Sequence, residues 1–199
     1  MVHKHHNTGS NGKKDLSTGR LLVATLLNLS ITIAEIIGGL VSNSLALISD
    51  ALHNLGDTFA VFIAYIAHLI SKRDYTDKKT FGYKRIEIIA AFFNAVILIV
   101  IIVYLFWEAI KRINDPEPVK GLIMLVVALI GLLANLYSVL LLKKESGKNI
   151  NIKAAYLHLL GDTFSSVAVI IGAAVIYFFQ IYWIDPLITI LIGLYLLRG

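Results

Sequence analysis

Leu52–Phe59 reads LHNLGDTF, and Leu157–Phe164 reads LHLLGDTF. The two stretches differ at one position, where Asn54 stands opposite Leu159. Each copy sets a histidine four residues before an aspartate: His53 with Asp57, and His158 with Asp162. Residues four apart share one face of a helix. Each copy also lies inside a long apolar run, Leu45–Ile70 for the first and Ala154–Phe179 for the second. Ionisable pairs repeated in two oily segments raise two questions: which solvent the chain folds in, and what compensates the charges.

The rest of the chain answers the first. Hydrophobic residues make up 57% and charged residues 16%, against about 45–50% and about 25% in soluble domains. Mean hydropathy is +0.77. Further apolar runs cover Leu21–Val41, Ile86–Ile110, Leu122–Leu142 and Ile184–Leu197. Crossing the hydrocarbon core takes about 20 helical residues. The first five runs meet that length, and the last is short. Strict apolar–polar alternation, the mark of membrane strands, is missing. Helices satisfy their own backbone groups and are the default in lipid. The expected fold is an all-α membrane protein, a six-transmembrane-helix bundle.

Lysine and arginine orient it. With the amino terminus in the cytoplasm, the tail carries Lys4, Lys13, Lys14 and Arg20. The second loop carries Lys72, Arg73, Lys78, Lys79, Lys84 and Arg85; the fourth carries Lys143, Lys144, Lys148 and Lys153; the end carries Arg198. Only Lys111, Arg112 and Lys120 fall outside. This positive-inside bias predicts six spans with both termini cytoplasmic. The net charge of +5 then reflects topology, and no nucleic-acid partner is expected. Cysteine is absent, which excludes thiolate metal sites and disulfides. Residues 1–15 read as a disordered polar tail holding His3, His5 and His6, and residues 16–199 as the transmembrane domain. Asp185–Pro186 reads as a helix start.

The second question turns on depth. His53 lies about 14 Å below the outer end of its helix and Asp162 about 15 Å from the inner end of its own, both near the middle of a core about 30 Å thick. A charged group there costs about 2.5 kcal/mol or more. Two neutral imidazoles and two carboxylates around a divalent cation form a neutral four-coordinate cluster. Nitrogen and oxygen donors in a tetrahedron suit zinc, and Co2+, Cd2+, Fe2+, Ni2+ and Mn2+ compete for such a site. The expected metal ligands are therefore His53, Asp57, His158 and Asp162.

Other polar residues are read as pathway or proton-linked candidates: Asp50, Asn28, Glu35 and Asn135. Asp50 precedes His53 by three residues and either lines an access path or caps its helix. Asn28, Thr32 and Glu35 stripe the first span, and Asn135 and Ser138 the fourth. Such stripes line a water-filled cavity or bond between helices. Gly56 and Gly161 suit close helix packing. His68 reads as interfacial, and Glu87 and Glu108 as solvated or paired with neighbouring cations.

SNSLALISDALHNLGD, FGYKRIEIIAAFFNA, YLHLLGDTFSS and WIDPLITILIGLYLL together resemble the cation diffusion facilitators, over nearly all of Leu16–Leu197. The resemblance implies a multi-pass metal/proton antiporter of the bacterial cell membrane, usually a homodimer, exporting zinc and similar ions from the cytoplasm. It assigns the transport-site ligands to the same His53, Asp57, His158 and Asp162. Family members continue past the sixth span into a cytoplasmic domain; this sequence is expected to hold only the transmembrane part, its last helix short or truncated. The histidine-bearing second site of some members is not expected, because Ser71–Arg85 has no histidine. Two rivals remain at this point. An intramembrane metal-dependent enzyme is disfavoured by the lack of HExxH or clustered histidines. An uncoupled metal channel would conduct without moving protons.

Overall fold

The computed structural model describes residues 9–71, 84–147 and 150–198. Side chains are described from residue 19 onward, apart from 60–71, 84–87, 90–91, 145, 151, 196 and 198. His3, His5, His6, the side chains of His68 and Glu87, and the loop residues 72–83 lie outside that set. Among the described residues there are six helices and no strand: α1 (Gly9–Ser42), α2 (Leu45–Ser71), α3 (Lys84–Asn114), α4 (Gly121–Ser146), α5 (Ile150–Phe179) and α6 (Ile184–Arg198).

Four helices hold stretches long and apolar enough to cross a membrane: Gly19–Ser42, Phe92–Asn114, Gly121–Lys144 and Ile152–Phe179. The apolar run in α6, Ile184–Tyr195, is shorter. At the amino end, α1 begins at Gly9, so residues 9–15 of the polar stretch are helical. No proline interrupts this stretch, and extending an existing helix adds one hydrogen bond per residue fixed.

Local chemistry sets the outer turns. After α1, Asn43 adopts φ 60°, a left-handed conformation that asparagine tolerates. The Ser44 N–H then donates to the Gly39 carbonyl at 2.9 Å. Ser44 Oγ accepts from the Leu47 N–H at 3.2 Å, an N-cap for α2. Asp185, in the first turn of α6, caps the same end: it accepts from Ser44 Oγ (2.6 Å), the Leu45 N–H (2.7 Å) and the Ala46 N–H (3.2 Å). A negative group at a helix N-terminus meets both orphan donors and the positive end of the dipole. Asp185 therefore starts its own helix and ties α6 to α2.

A second tie joins α3 to the same corner. Arg112 donates to Glu108 Oε1 at 3.0 Å and to the Asn43 carbonyl at 2.9 Å, and pairs with Glu117 at 3.3 Å. Glu108 is thus paired, as expected. The Asn43 amide bonds Glu117 at 3.1 Å; that bond, then Arg112, holds the Glu117 carboxyl below its ordinary pKa.

Helix α4 packs on α5 and α1, α2 on α1 and α3, and α6 bridges α3, α2 and α5. Two apolar clusters bracket the bundle. One joins Ala46, Leu47, Met124, Val169, Ile176 and Ile188; the other joins Ala24, Val139, Leu142, Ile152 and Leu159. Among the helices lie the buried polar residues Thr32, Glu35, Asp50, Asn54, Asn135, Ser138 and Asp162. Outward faces are apolar instead: Phe92, Val100, Tyr104, Trp107 and Leu133 are all well exposed. Apolar outside with ionisable groups inside is an arrangement suited to lipid.

Candidate metal centre

His53 and Asp57 project from α2, one turn apart, toward His158 and Asp162 on α5. His53 Nε2 lies 3.5 Å from Asp57 Oδ2 and 3.9 Å from Asp162 Oδ1. His158 Nε2 lies 3.6 Å from Asp57 Oδ2 and 3.5 Å from Asp162 Oδ2. The two imidazole rings stand 5.7 Å apart between centroids and 66° between planes. Each carboxylate faces both imidazoles, so the two motif copies form one site.

The spacing is informative. Direct N–H···O bonds run about 2.7–3.2 Å, shorter than all four separations. A tetrahedral zinc with arms of about 2.05 Å holds its donors about 3.3–3.4 Å apart. The observed 3.5–3.9 Å exceeds that by only a few tenths of an ångström. Donor atoms of His53, His158 and Asp162 all lie within 4.8 Å of one another. Asp57 approaches both imidazoles but stands outside that mutually close trio.

The four groups differ in access. Side-chain exposure is 2% at Asp162 and 20% at His53, but 35% at His158 and 39% at Asp57. The open pair sits on the side toward the end of α2 and the start of α5. A cavity of about 750 Å³ touches all four residues, with walls from α2, α3, α5 and α6 that run from Ser49, Leu52 and Leu105 to Leu157 and Tyr195. Glycines shape these walls. A Cβ at Gly56 would collide with Leu98, and one at Gly161 would approach the Tyr195 hydroxyl to 2.9 Å.

The other candidates lie deeper in the bundle. Glu35 and Asp50 are both buried, and Glu35 Oε2 and Asp50 Oδ1 have no hydrogen-bond partner. The Asn135 amide approaches Ser166 Oγ at 3.5 Å. Asn28 is half-buried; its carbonyl accepts from Thr32 Oγ1 at 2.8 Å while its Oδ1 is unpartnered. Asn54 was passed over as a site residue. It is fully buried, with both polar atoms of its amide unpartnered. A signal for it was present: Asn54 is the one place where the motif copies differ, and its counterpart Leu159 packs in an apolar cluster. Asp185, Ser166 and Tyr195 were also missed. Their roles depend on neighbouring helices and leave no local pattern.

Residues 21–199 match the cation efflux transmembrane domain. The chain is 45% identical over 200 residues to a zinc transporter ZitB of Pectobacterium atrosepticum, covering 100% of this chain and 61% of that protein. It is 43% identical over 195 residues to the metal cation efflux system protein CzcD of Cupriavidus metallidurans, covering 98% and 60% respectively. It is 38% identical over 201 residues to a cadmium, cobalt and zinc/H(+)-K(+) antiporter of Bacillus velezensis, covering 100% and 63%. The chain thus spans about three-fifths of the length of these relatives. Membership in a transporter family sets aside the intramembrane enzyme. The chain belongs to the cation efflux family, the cation diffusion facilitators, and is a multi-pass integral membrane protein.

Proposed function

We propose that this chain is the transmembrane part of a secondary transporter that exports divalent cations, zinc foremost, from the cytoplasm in exchange for protons. The observation that carries this is the meeting of His53 and His158 with Asp57 and Asp162, the four His–Asp separations being 3.5–3.9 Å. Related proteins named for transport of zinc, or of cadmium, cobalt and zinc against protons and potassium, support the substrate class.

The metal here is cargo. It must bind tightly enough to leave water and loosely enough to be released. Protons provide the exchange. Imidazole and carboxylate bind a metal ion only when deprotonated, so metal and protons compete for the same atoms. Histidine titrates at about 6.5 when unperturbed, close to working pH.

Alternating access requires the site to open to one side at a time. The lysine and arginine bias supports six spans with both termini cytoplasmic, which places the α2–α3 and α4–α5 connections inside. The exposed pair, Asp57 and His158, then points to the cytoplasm, and Asp162 forms the closed floor. Loading from that side is the proposed first step. The outer corner is tied by Asp185 and Arg112, so outward opening involves rocking helices against those ties. Assembly as a homodimer belongs to the same proposal and is checked by the mass of the full-length protein in native nanodiscs.

Zinc uptake by inverted vesicles under an imposed pH gradient tests the exchange. Uptake should follow the gradient and collapse when it is dissipated. Zinc flux that moves no protons would point to an uncoupled channel instead.

A further inference from the structure

Two deeply buried carboxyls stand outside the ligand set with an oxygen that no donor reaches: Glu35 Oε2 and Asp50 Oδ1. Each residue is 1% exposed. Asp185 is equally buried, but three donors meet its carboxylate. Asn54 stands in range of the Glu35 carboxyl and Ser165 of the Asp50 carboxyl, one neutral partner each; an ionised carboxylate with so few donors is unfavourable in such surroundings, whereas a protonated carboxyl is neutral and carries its own donor.

The surroundings of Glu35 are built for that. On α4, Gly131 leaves the space its carboxyl fills, since a Cβ there would lie 2.7 Å from Glu35 Oε1. On α2, Asn54 and Asp50 face it, and from α5 Asp162 is the other charged group in range. Helix α4 brings no ionisable side chain to it among the described residues. Both polar atoms of the Asn54 amide are buried and meet no partner within hydrogen-bond distance, so the amide can turn either its oxygen to a protonated Glu35 or its N–H to an ionised one. All the donors here are oxygens or amides, and His53, His158 and Asp162 form the one three-residue metal-ligating group among the described residues. Hard oxygen donors that do not close around an ion suit a proton better than a transition metal.

We infer that Glu35 is a proton-binding site separate from the four metal ligands, and that it gives up its proton when a divalent ion binds and regains it when the ion leaves. This rests on the proposed metal/proton exchange and adds one proton to it. The doubly charged ion at the His–Asp site lowers the cost of a nearby negative charge in a medium of low dielectric, and so favours ionised Glu35. Asp50 and Asp162 are the charged groups acting on Glu35, and Asp162 acts on Asp50 as well. The proton therefore has acceptors leading from α1 to the cavity. No bond other than O–H is made or broken: the proton leaves the Glu35 carboxyl, passes to water, and the carboxylate remains.

The test counts protons released per zinc bound by the full-length protein, by calorimetry in two buffers of different ionisation enthalpy. Glu35→Gln should release about one proton fewer per zinc, with zinc affinity within about tenfold of wild type. Glu35→Asp should restore the count. An unchanged proton count in Glu35→Gln overturns the assignment. Should Glu35→Gln fail to fold, infrared difference spectra on zinc binding decide the matter. Loss of a protonated-carboxyl band that shifts in Glu35→Asp supports the site; a band indifferent to Glu35→Asp overturns it. The underlying exchange fails separately: Asp162→Asn with wild-type zinc affinity would sink the ligand set whatever Glu35 does.

Discussion

The two aspartates of the metal centre should be unequal, and the inequality is measurable. Asp162 is 2% exposed and Asp57 39% exposed. Consider Asp162→Asn and Asp57→Asn, which keep shape and remove charge. Four-ligand zinc sites bind with about 10–16 kcal/mol of apparent free energy at neutral pH. An even share per ligand is about 2.5–4 kcal/mol, or about 60-fold to 900-fold in Kd. At Asp162 no water can take the lost position, so the full factor applies. At Asp57 the cavity admits water, and zinc with three protein ligands and one water is a stable arrangement. The loss there should be about 10-fold to 30-fold, at or below the weak end of that range. Competition against a fluorescent chelator, on full-length protein in detergent near neutral pH, reads both values. Equal losses, or a larger loss at Asp57, would refute the assignment of Asp162 as the closed floor and Asp57 as the open side.

Other expectations follow from single contacts. Asp185→Ala strips the cap from α2 and leaves the Leu45 and Ala46 N–H groups without an acceptor, so the protein should lose about 2–4 kcal/mol, read as a lower midpoint in denaturant. Gly131→Ala drives a methyl against Glu35 Oε1 and should cost about 1–3 kcal/mol, seen as a drop in thermal midpoint, while Gly19→Ala, with open space around it inside α1, should raise the midpoint, since alanine is the better helix former. The Glu117 carboxyl is held below its ordinary value by Asn43 and Arg112. Its contribution is therefore present above the unfolded carboxylate pKa of about 4.3 and lost as pH falls through the lower folded value. Glu117→Gln should accordingly leave the pH profile of transport unaltered from about pH 6 to pH 8, and a moved profile would contradict the sign.

Much of this site could be read before any coordinates, because its chemistry is local to two helical turns. A histidine and an aspartate four apart share a face, and the structure brings the two such pairs together. The six helices followed from run length, and the break at Pro116 and Pro118 from the loss of a backbone donor and a fixed φ. What stayed hidden depends on packing between distant segments. Asp185 looked like an ordinary helix start, yet its carboxylate caps α2 across 140 residues of chain. The polar stripe at Asn28, Thr32 and Glu35 left open a water-filled cavity or bonds between helices. The structure buries Thr32 and Glu35 and leaves Asn28 half-buried. Thr32 bonds the Asn28 carbonyl one turn back, and the cavity lies elsewhere, against the four His and Asp residues. Asn54 escaped notice because it occurs in only one copy of the repeat, and periodicity rewards what recurs.

Anomalous diffraction at the zinc edge, on crystals of the zinc-loaded full-length protein, tests the central claim most directly. The account requires one peak between α2 and α5, about 2.0–2.2 Å from His53, His158, Asp57 and Asp162 together. A peak bound elsewhere, with either imidazole turned away from it, would contradict a shared site.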